Sequence, residues 1–399
     1  METPESALAL LLLHTVPHGR TETVPLSMAL GRVTACAVQA PIALPPFDRS
    51  PLDGFTYAAA DTVSATADDP IALEIIGELC AGSDEVFSPC SGQAVRIMTG
   101  APIPKGCDCV IRQESVQEKD GFVYISEALR SEQNICYAGE DIPADAPILE
   151  AGQRLHAAHI GVLGSLGISS VSVYEPVKVA LLCTGDELIE AGQPLTRGKI
   201  YNANQAMFSA RLEELGIDCR ILHTTGDDAA AATQSIQESL AWADMVLTTG
   251  GVSVGKKDIL HDVYQLLQAK RLFWRISMKP GSPMLAGLVN NKIILSLSGN
   301  PFAAIACFEL FAKPVLSQLS GDSQSCNRRI KVPLAGGSRK LHPARRMIRA
   351  QFDGVHVWVV EGNHSSGSLS SMMGCNCFID VTPDCHELRE NELVQVILF

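Results

Sequence analysis

Apolar residues between positions 177 and 320 fall into short runs that alternate with longer segments of helical spacing. The short runs predict buried strands, and the longer segments predict helices. Alternation of this kind indicates a mostly parallel sheet with helices on both faces. The predicted strands are Val177–Cys183, Cys219–His223, Met245–Leu247 and Ile293–Leu297, and the predicted helices are Gln205–Leu215, Ala229–Trp242, Ile259–Leu267 and Phe302–Leu319.

Residues 41–134 have a different pattern, in which short apolar runs alternate with clusters of Gly, Pro, Asp and Ser. This spacing predicts a small β domain made of strands and turns. The runs that predict strands are Ile71–Ile76, Ala94–Met98, Cys109–Arg112 and Phe122–Ile125.

The segments on either side of this β insert have helical character. Thr3-Pro4-Glu5 is typical of a helix start, with an N-cap, a proline at the first helical position and an acid near the dipole. His156–Leu166 predicts a second helix. We therefore expect residues 1–40 and 135–172 to form one discontinuous α/β linker domain, interrupted by the insert at 41–134.

The last segment, 323–399, contains short strand patterns that predict a small β-barrel: Ile330–Leu334, Met347–Phe352, Val355–Val360, Cys377–Val381 and Leu393–Leu398. The predicted fold class is therefore α/β plus β in several domains. A parallel-sheet ligand-binding domain at 173–322 is combined with a β insert and a C-terminal β-barrel.

The charge and composition of the chain limit the classes of partner that it is expected to bind. The chain has 399 residues, a net charge of −13 and a pI near 5.2, which argue against nucleic acid or an anionic membrane as the main partner. The apolar run Ala7–Leu13 follows acids rather than a basic segment, and no run approaches the ~18 residues that span a bilayer. A cytoplasmic location is expected.

Thirteen cysteines are spread along almost the whole chain, and their number is odd. No C-x-x-C or H-E-x-x-H motif is present, and Cys107-x-Cys109 and Cys375-x-Cys377 are too isolated to predict a zinc site. We interpret most of the cysteines as reduced residues of the core and the strands.

The turn Thr248–Asp258, between a predicted strand and a predicted helix, is the strongest candidate for ligand binding. Its glycines and the following helix start favour an anion. Three interpretations remain open at this point. The turn fits most of a P-loop, although Lys257 replaces the Ser/Thr that holds magnesium. It also fits a G-x-S-x-G nucleophile elbow around Ser253, or a phosphate- or pterin-binding turn that uses Asp258.

Other polar loops follow neighbouring predicted strands, so the sheet brings them to the same edge. Asp186, Glu187 and Asp258 supply hard oxygen ligands that suit Mg²⁺, although Asp186 also fits a helix cap and Glu187 a solvated side chain. Lys279 stands in a stiff Pro-rich loop, where it favours charge compensation at an oxyanion. The loops are Thr184–Glu187, Tyr201–Asn204, the Gly250 turn and Leu297–Pro301.

Eight motifs in a fixed order resemble the molybdopterin molybdenumtransferase family, which includes the bacterial enzyme and the corresponding domain of gephyrin. The resemblance covers about the whole chain, and the loops of the insert separate the family from smaller proteins that share only the pterin-binding domain. The motifs are PPFDRSPLDGF, RIMTGAPIP, GEDI, CTGDEL, KIYNANQ, TTGGVSVGKKD, MKPGSPML and LSLSGNPFAA.

The resemblance implies an activity. Family members insert molybdate into adenylylated molybdopterin, use Mg²⁺ or a similar cation, and release molybdenum cofactor and AMP. It also implies an elongated homodimer with the active site between the α/β domain of one subunit and the insert of the other. Molybdopterin adenylyltransferase and molybdoenzyme maturation proteins are expected partners.

Matching the motifs position by position implies the site residues. Glu187, Asp53, Asp258 and Lys279 have expected catalytic roles, and Asp186, Glu187 and Asp258 are expected metal ligands. Lys279, Arg349 and hydroxyls such as Ser366 are expected to hold molybdate through charge-assisted hydrogen bonds. The other expected substrate-binding residues are Thr99, Asp141, Thr184, Gly185, Asn202, Gly250, Gly251, Ser253, Gly255, Ser282, Ser298, Gly299, Asn300 and Pro301.

Some residues depart from the family pattern. Asn202 stands where Asp is usual, Ser282 stands where a second Lys is common, and His364 replaces a Gln. These departures leave open a paralogue that prefers tungstate, or a binding or scaffold protein without turnover. Adenylylation of the pterin by the α/β domain is a further alternative, against which the insert argues.

Overall fold

The computed structural model describes residues 1–223, 226–253, 258–323, 327–336, 339–340 and 344–399. The first helix, α1 (Pro4–Leu13), begins as predicted: the Thr3 hydroxyl accepts a hydrogen bond from the Ser6 N–H at 3.1 Å, and a proline occupies the first helical position. The strands β1 (Thr21–Pro25) and β2 (Val38–Gln39) follow, with a 3₁₀ turn at Leu26–Met28 between them.

The insert forms one six-stranded sheet from β3 (Gly54–Tyr57), β4 (Ile71–Leu79), β5 (Gln93–Ile97), β6 (Cys109–Arg112), β7 (Gln117–Lys119) and β8 (Phe122–Ile125). The strand order is β6-β3-β5-β4-β8-β7, and only β4 and β5 run parallel. The sequence did not predict β3, which is buried throughout, because its Gly- and Asp-rich start is typical of a loop. The predicted β domain is confirmed, with Phe55 and Tyr57 in its core.

The chain then returns to its N-terminal strands through β9 (Pro147–Leu149), α2 (Ala157–Ser165) and β10 (Ser170–Tyr174). β1 pairs with β10 and β2 with β9, both antiparallel, so segments on either side of the insert share one unit. Helix α1 is an exception: Ala7 and Leu11 are fully buried in the core of the α/β domain. The apolar face of α1 therefore packs against the α/β domain, and the assignment of α1 to the linker domain stays a prediction. The exact domain boundaries stay a prediction.

The α/β domain contains a six-stranded sheet of order β14-β11-β15-β18-β17-β16. The first four of these strands are parallel, and β17 and β16 add an antiparallel edge that the sequence did not predict. The elements are β11 (Lys178–Cys183), β12 (Leu188–Ile189), β13 (Ile200–Tyr201), α3 (Ala203–Glu214), β14 (Asp218–Leu222), α4 (Ala229–Ser239), β15 (Met245–Thr249), α5 (Leu260–Leu266), β16 (Lys270–Trp274), β17 (Leu285–Val289), β18 (Lys292–Leu297), α6 (Pro301–Cys307) and α7 (Lys313–Leu319).

Helices cover both faces of this sheet, as predicted. Phe208 of α3 and Phe308 pack on one face, and Ile236 of α4 and Val263 of α5 pack on the other. A π-helical turn, Phe308–Ala312, joins α6 to α7. Within the described residues, Pro301–Leu319 is long and apolar enough to cross a membrane, but 89% of its most apolar window is buried inside the protein.

The C-terminal segment contains β19 (Arg329–Pro333), β20 (Arg339–Lys340), β21 (Arg346–Phe352), β22 (Val357–Val359), β23 (Cys377–Val381), β24 (Glu387–Leu388) and β25 (Leu393–Leu398). Five of them form a sheet of order β19-β25-β23-β21-β22. A parallel bridge between Leu334 and Val357 joins its two edges, so the sheet curls into a barrel. The predicted fold class is confirmed.

Candidate active site at the sheet edge and the barrel

The Gly-rich turn after β15 touches the ends of both neighbouring strands. Gly250 has φ +89° and donates its N–H to the Leu297 carbonyl at 3.1 Å. A Cβ at this position would overlap the Thr184 carbonyl oxygen at the end of β11. Glycine therefore allows both the left-handed backbone and the close approach of two strand ends.

We expect Gly250→Ala to lower the affinity for an anionic ligand of this turn by more than about tenfold, because the added methyl group must displace Thr184. Gly192→Ala is the matched control, because Gly192 has φ +92° and a Cβ there would meet no atom within 4 Å. Titration calorimetry and thermal unfolding of both variants check this. Equal affinities in the two variants would contradict a role for the close approach.

A groove with a volume of about 680 Å³ opens at the carboxyl ends of β11, β15 and β18, where ligands of such sheets bind. It brings together twelve of the predicted residues. They are Thr184, Gly185, Glu187, Asn202, Gly250, Gly251, Ser253, Asp258, Ser298, Gly299, Asn300 and Pro301. Gly255, which was also predicted, lies outside the described residues.

Two of the three predicted metal carboxylates, Glu187 and Asp258, line this groove. The Glu187 carboxylate folds back over Gly185, where a Cβ would stand only 2.7 Å from Oε1. Asp186 points elsewhere: its Oδ1 accepts a hydrogen bond from the Asp227 N–H at 2.9 Å, and the residue lines a neighbouring cavity. Asp186 thus lines a different cavity from the other two carboxylates, and its expected role as a metal ligand stays a prediction.

Asp227 is a carboxylate of the groove that the sequence analysis missed. It follows β14 in the Gly226-Asp227-Asp228 loop, and this position after a parallel strand could have indicated it. Among the described residues, no group of three or more His, Cys, Asp or Glu side chains could hold a metal ion. A carboxylate pair suffices for Mg²⁺, which keeps several waters and binds substrate phosphates.

Two asparagines at the start of α3 shape the wall of the groove. Asn202 caps the helix: its Oδ1 accepts from the Gln205 N–H at 3.1 Å, a role that Asp performs equally well. Asn204, which the sequence analysis did not select, is 7% exposed and donates Nδ2 to the Gly299 carbonyl at 2.9 Å. It thereby connects α3 to the Ser298–Pro301 loop.

A second cavity, with a volume of about 490 Å³, continues from the groove between the α/β domain and the barrel; we call it the cation pocket. Pro283, Ser298 and Asn300 line both cavities, so the two share a wall. The predicted residues Lys279, Ser282 and Ser366 line the cation pocket. Its remaining walls are Pro280, Gly281, Phe302, Ala303, Arg346, Met347, Ile348 and His364.

Three arginines near the start of β21 have different environments. Arg346 lines the cation pocket, and its Nε is buried and has no hydrogen-bond partner among the described residues. Arg345 pairs with Asp380 and Glu5 outside the pocket. Arg349, which the sequence analysis expected to hold molybdate, is 0% exposed, and its guanidinium lies 3.9 Å from the Phe302 ring centroid.

The expected contact between Arg349 and an oxyanion stays a prediction, and the structure shows which groups Arg349 binds within the protein. Arg349 donates to the Ser368 and Ser365 carbonyls at 2.6 and 3.1 Å, so it holds the loop that carries Ser366. The Ser366 carbonyl in turn accepts from the Phe302 N–H at 3.0 Å. Among the described residues, Arg346 is the arginine that lines the cation pocket, and Arg349 stacks on Phe302, which is one of its walls.

Asp53 and Thr99 of the insert and Asp141 of the segment after it are predicted residues that line neither the groove nor the cation pocket. Asp53 and Thr99 nevertheless form a hydrogen-bonded pair: Asp53 Oδ1 accepts from the Thr99 N–H at 2.7 Å and from the Thr99 hydroxyl at 2.8 Å. These hydrogen bonds hold the pKa of Asp53 below its ordinary value. The Asp141 N–H donates to the Leu44 carbonyl at 3.1 Å.

Three family models match the chain in succession. The MoeA N-terminal region (domain I and II) matches residues 3–167, the probable molybdopterin binding domain matches 180–318, and the MoeA C-terminal region (domain IV) matches 331–399.

Relatives match almost the whole chain. A molybdopterin molybdenumtransferase of Staphylococcus aureus (strain COL) is 34% identical over 380 residues, which cover 94% of this chain and 90% of the relative. One from Staphylococcus epidermidis (strain ATCC 12228) is 33% identical over 379 residues, with the same coverages of 94% and 90%. The crystal structure of the molybdopterin biosynthesis moeA protein from Pyrococcus horikoshii OT3 superposes with a TM-score of 0.88 at 29% identity and covers 100% of both chains.

Proposed function

Since this chain belongs to the molybdopterin molybdenumtransferase family, it is a transferase of molybdenum cofactor biosynthesis, and we propose that it inserts molybdate into adenylylated molybdopterin with release of molybdenum cofactor and AMP. The observation that carries the proposal is the shared wall between the groove and the cation pocket. A pterin pyrophosphate in the groove and a small dianion in the pocket would meet across Pro283, Ser298 and Asn300.

The cation pocket has the chemistry that a tetrahedral dianion requires. Lys279 and Arg346 supply positive charge, and Ser366 and Ser282 supply hydroxyls. Charge-assisted hydrogen bonds of this kind bind oxyanions strongly and with defined geometry. The groove offers the backbone of the Gly250 turn and of the Ser298–Pro301 loop to phosphate oxygens.

The carboxylates of the groove fit Mg²⁺, which prefers hard oxygen ligands and needs only one or two carboxylates beside a substrate phosphate. Glu187 and Asp258 would hold the ion. A bound Mg²⁺ would polarise the pyrophosphate that joins the pterin to AMP.

The protein side chains then contribute position and charge rather than a covalent step. Lys279 and Arg346 hold the oxyanion beside the groove, and the turn glycines hold the phosphates in place. Such positioning and electrostatic stabilisation account for most of the catalysis in phosphoryl transfer. Ser253 lines the groove as a turn residue, and no nucleophilic role is required of it.

The test is AMP release by the purified protein from adenylylated molybdopterin, with and without Mg²⁺, in the presence of molybdate, tungstate or neither anion. We expect release that depends on both the cation and the oxyanion, and the two anions then rank the substrate preference. Tight binding of the pterin without AMP release under any condition would contradict the proposal and favour a scaffold protein.

We also propose that the active protein is a homodimer, in which the insert of a second copy completes each site. Asp53 and Thr99 support this, because they form a polar pair on the insert and line neither cavity of their own chain. A second copy would bring such a pair to the groove.

Complementation between two inactive variants tests the dimer. Glu187→Ala and Asp53→Ala, mixed and allowed to exchange subunits, should give about a quarter of wild-type activity, because half of the dimers then contain one intact site. Each variant alone is the control. No activity in the exchanged mixture would contradict a shared site.

The location and the partners complete the proposal. A cytoplasmic protein would receive its substrate from an enzyme that adenylylates molybdopterin, and it would pass the product to proteins that mature molybdoenzymes.

A further inference from the structure

The two cations of the cation pocket come from different domains, and backbone hydrogen bonds hold them in register. The Lys279 N–H donates to the Arg345 carbonyl at 2.9 Å, and the Met347 N–H donates to the Lys279 carbonyl at 3.1 Å. This forms a parallel bridge that pairs Lys279 with Arg346. Residues paired in a bridge project to the same side, so both side chains reach the pocket.

Strand alternation sends the side chain of Arg345 away from the pocket, where it meets Asp380 of β23. Arg345 donates Nε to Asp380 Oδ1 at 2.9 Å and Nη2 to Oδ2 at 2.7 Å, which is a bidentate ion pair. The side chains are 13% and 3% exposed, so solvent screens the pair only weakly. Glu5 of α1 contacts the remaining nitrogen of Arg345.

The charged groups around Asp380 differ in how directly they act on the bridge. Arg329 also donates to Asp380, at 2.7 Å, but it is 42% exposed and lies on β19 rather than in the bridge. Arg345 both binds Asp380 through its side chain and accepts the Lys279 N–H through its carbonyl. The ion pair thus fixes the backbone at the point where the two domains join.

We propose that the Arg345–Asp380 ion pair is a positioning device that sets the spacing of Lys279 and Arg346 and thereby the affinity of the cation pocket for its oxyanion. Neither residue of the pair is among the described residues that line the cation pocket. The inference rests on the proposed function, because it takes the pocket to be the molybdate site. It has a specific consequence: loosening the pair raises the KM for molybdate and leaves the KM for the pterin substrate unchanged.

The test compares Asp380→Asn and Arg345→Lys with Arg329→Gln, a control that removes a different partner of the same carboxylate. We expect the first two variants to raise the KM for molybdate about tenfold or more, because displaced cations lose their geometry. Their kcat at saturating molybdate and their KM for adenylylated molybdopterin should stay at wild-type values. The control should match the wild type in all three.

A double variant separates positioning from a structural role. In a Lys279→Gln background, Asp380→Asn should raise the molybdate KM little further, because the pair acts through the spacing of Lys279 and Arg346. A lower kcat or a reduced fraction of active protein with an unchanged molybdate KM would overturn the inference. If Asp380→Asn does not fold, calorimetric titration of molybdate into Arg345→Lys decides between the same outcomes.

Failure of this inference is distinguishable from failure of the proposed function. A wild-type protein that releases no AMP would refute the function itself. A wild-type protein that is active, beside variants whose molybdate KM does not change, would refute only the positioning role.

Discussion

Glu187→Gln should lower kcat for AMP release by at least about a hundredfold, since the loss of one charged group aimed at a transition state typically costs two to three powers of ten. The Glu187 carboxylate is held over Gly185 in the groove that also contains Asp258. The amide keeps the size of the side chain but lacks the charge that Mg²⁺ requires. Steady-state AMP release at saturating substrates measures the change.

The control for this variant is Glu190→Gln in the same loop. Glu190 is exposed, lies 3.7 Å from His223 and lines the neighbouring cavity rather than the groove. It should retain wild-type kcat. If Glu187→Gln were as active as this control, the proposed role of the Glu187 charge would be wrong.

Lys279→Gln should raise the KM for molybdate about tenfold to a hundredfold, because a hydrogen bond to a charged group contributes about 1.5–3 kcal/mol and each 1.4 kcal/mol is tenfold in affinity. Lys279 and Arg346 are the two cations that line the cation pocket. The KM for adenylylated molybdopterin should change much less, because the pterin binds in the groove. Initial rates over a range of both substrates separate the two constants.

Two further variants test whether this change in KM is specific to the cation pocket. Lys270→Gln, at an exposed position that opens β16, should leave both KM values unchanged. Ser282→Lys places an additional cation in the pocket and should lower the KM for molybdate. A pocket that responded to neither Lys279→Gln nor Ser282→Lys would not be the oxyanion site.

Much of the architecture could be predicted because the spacing of hydrophobic residues differs between strands and helices. The strand Cys377–Val381 and the helix start at Pro4 appear in the structure at the predicted residues. The strands β16 and β17 were missed because they form an antiparallel edge, which the alternation of strands and helices does not predict. The packing of α1 against the α/β domain could not be predicted, because a single helix does not reveal against which core its apolar face packs.

The groove could be predicted because loops after parallel strands meet at one edge of the sheet, and this placed Glu187, Asp258 and the Gly250 turn together. The individual directions of side chains could not be predicted in the same way. Asp186 and Glu187 are adjacent in sequence, yet Glu187 lines the groove, whereas Asp186 lines a neighbouring cavity and accepts a hydrogen bond from the Asp227 N–H. Asp227 itself was missed, because a short Asp-rich loop fits a helix cap equally well.

The arginines of β21 show a second limit. The sequence indicates a basic cluster, but the choice between Arg346 and Arg349 depends on strand register, because adjacent residues face opposite sides. The run Arg346–Phe352 does not alternate between apolar and polar residues, so its pattern does not distinguish the two arginines. The burial of Arg349 under the Ser365–Ser368 loop depends on contacts between segments and has no signature in the sequence.

The most direct test of the account is reconstitution of a molybdoenzyme that lacks its cofactor. The purified protein is incubated with adenylylated molybdopterin, Mg²⁺ and molybdate, and AMP release and molybdoenzyme activity are followed in the same mixture. We expect molybdoenzyme activity to rise in proportion to the AMP released, and both to disappear with Glu187→Gln. AMP release without any molybdoenzyme activity would contradict molybdate insertion, because it would show a hydrolase that only removes the nucleotide.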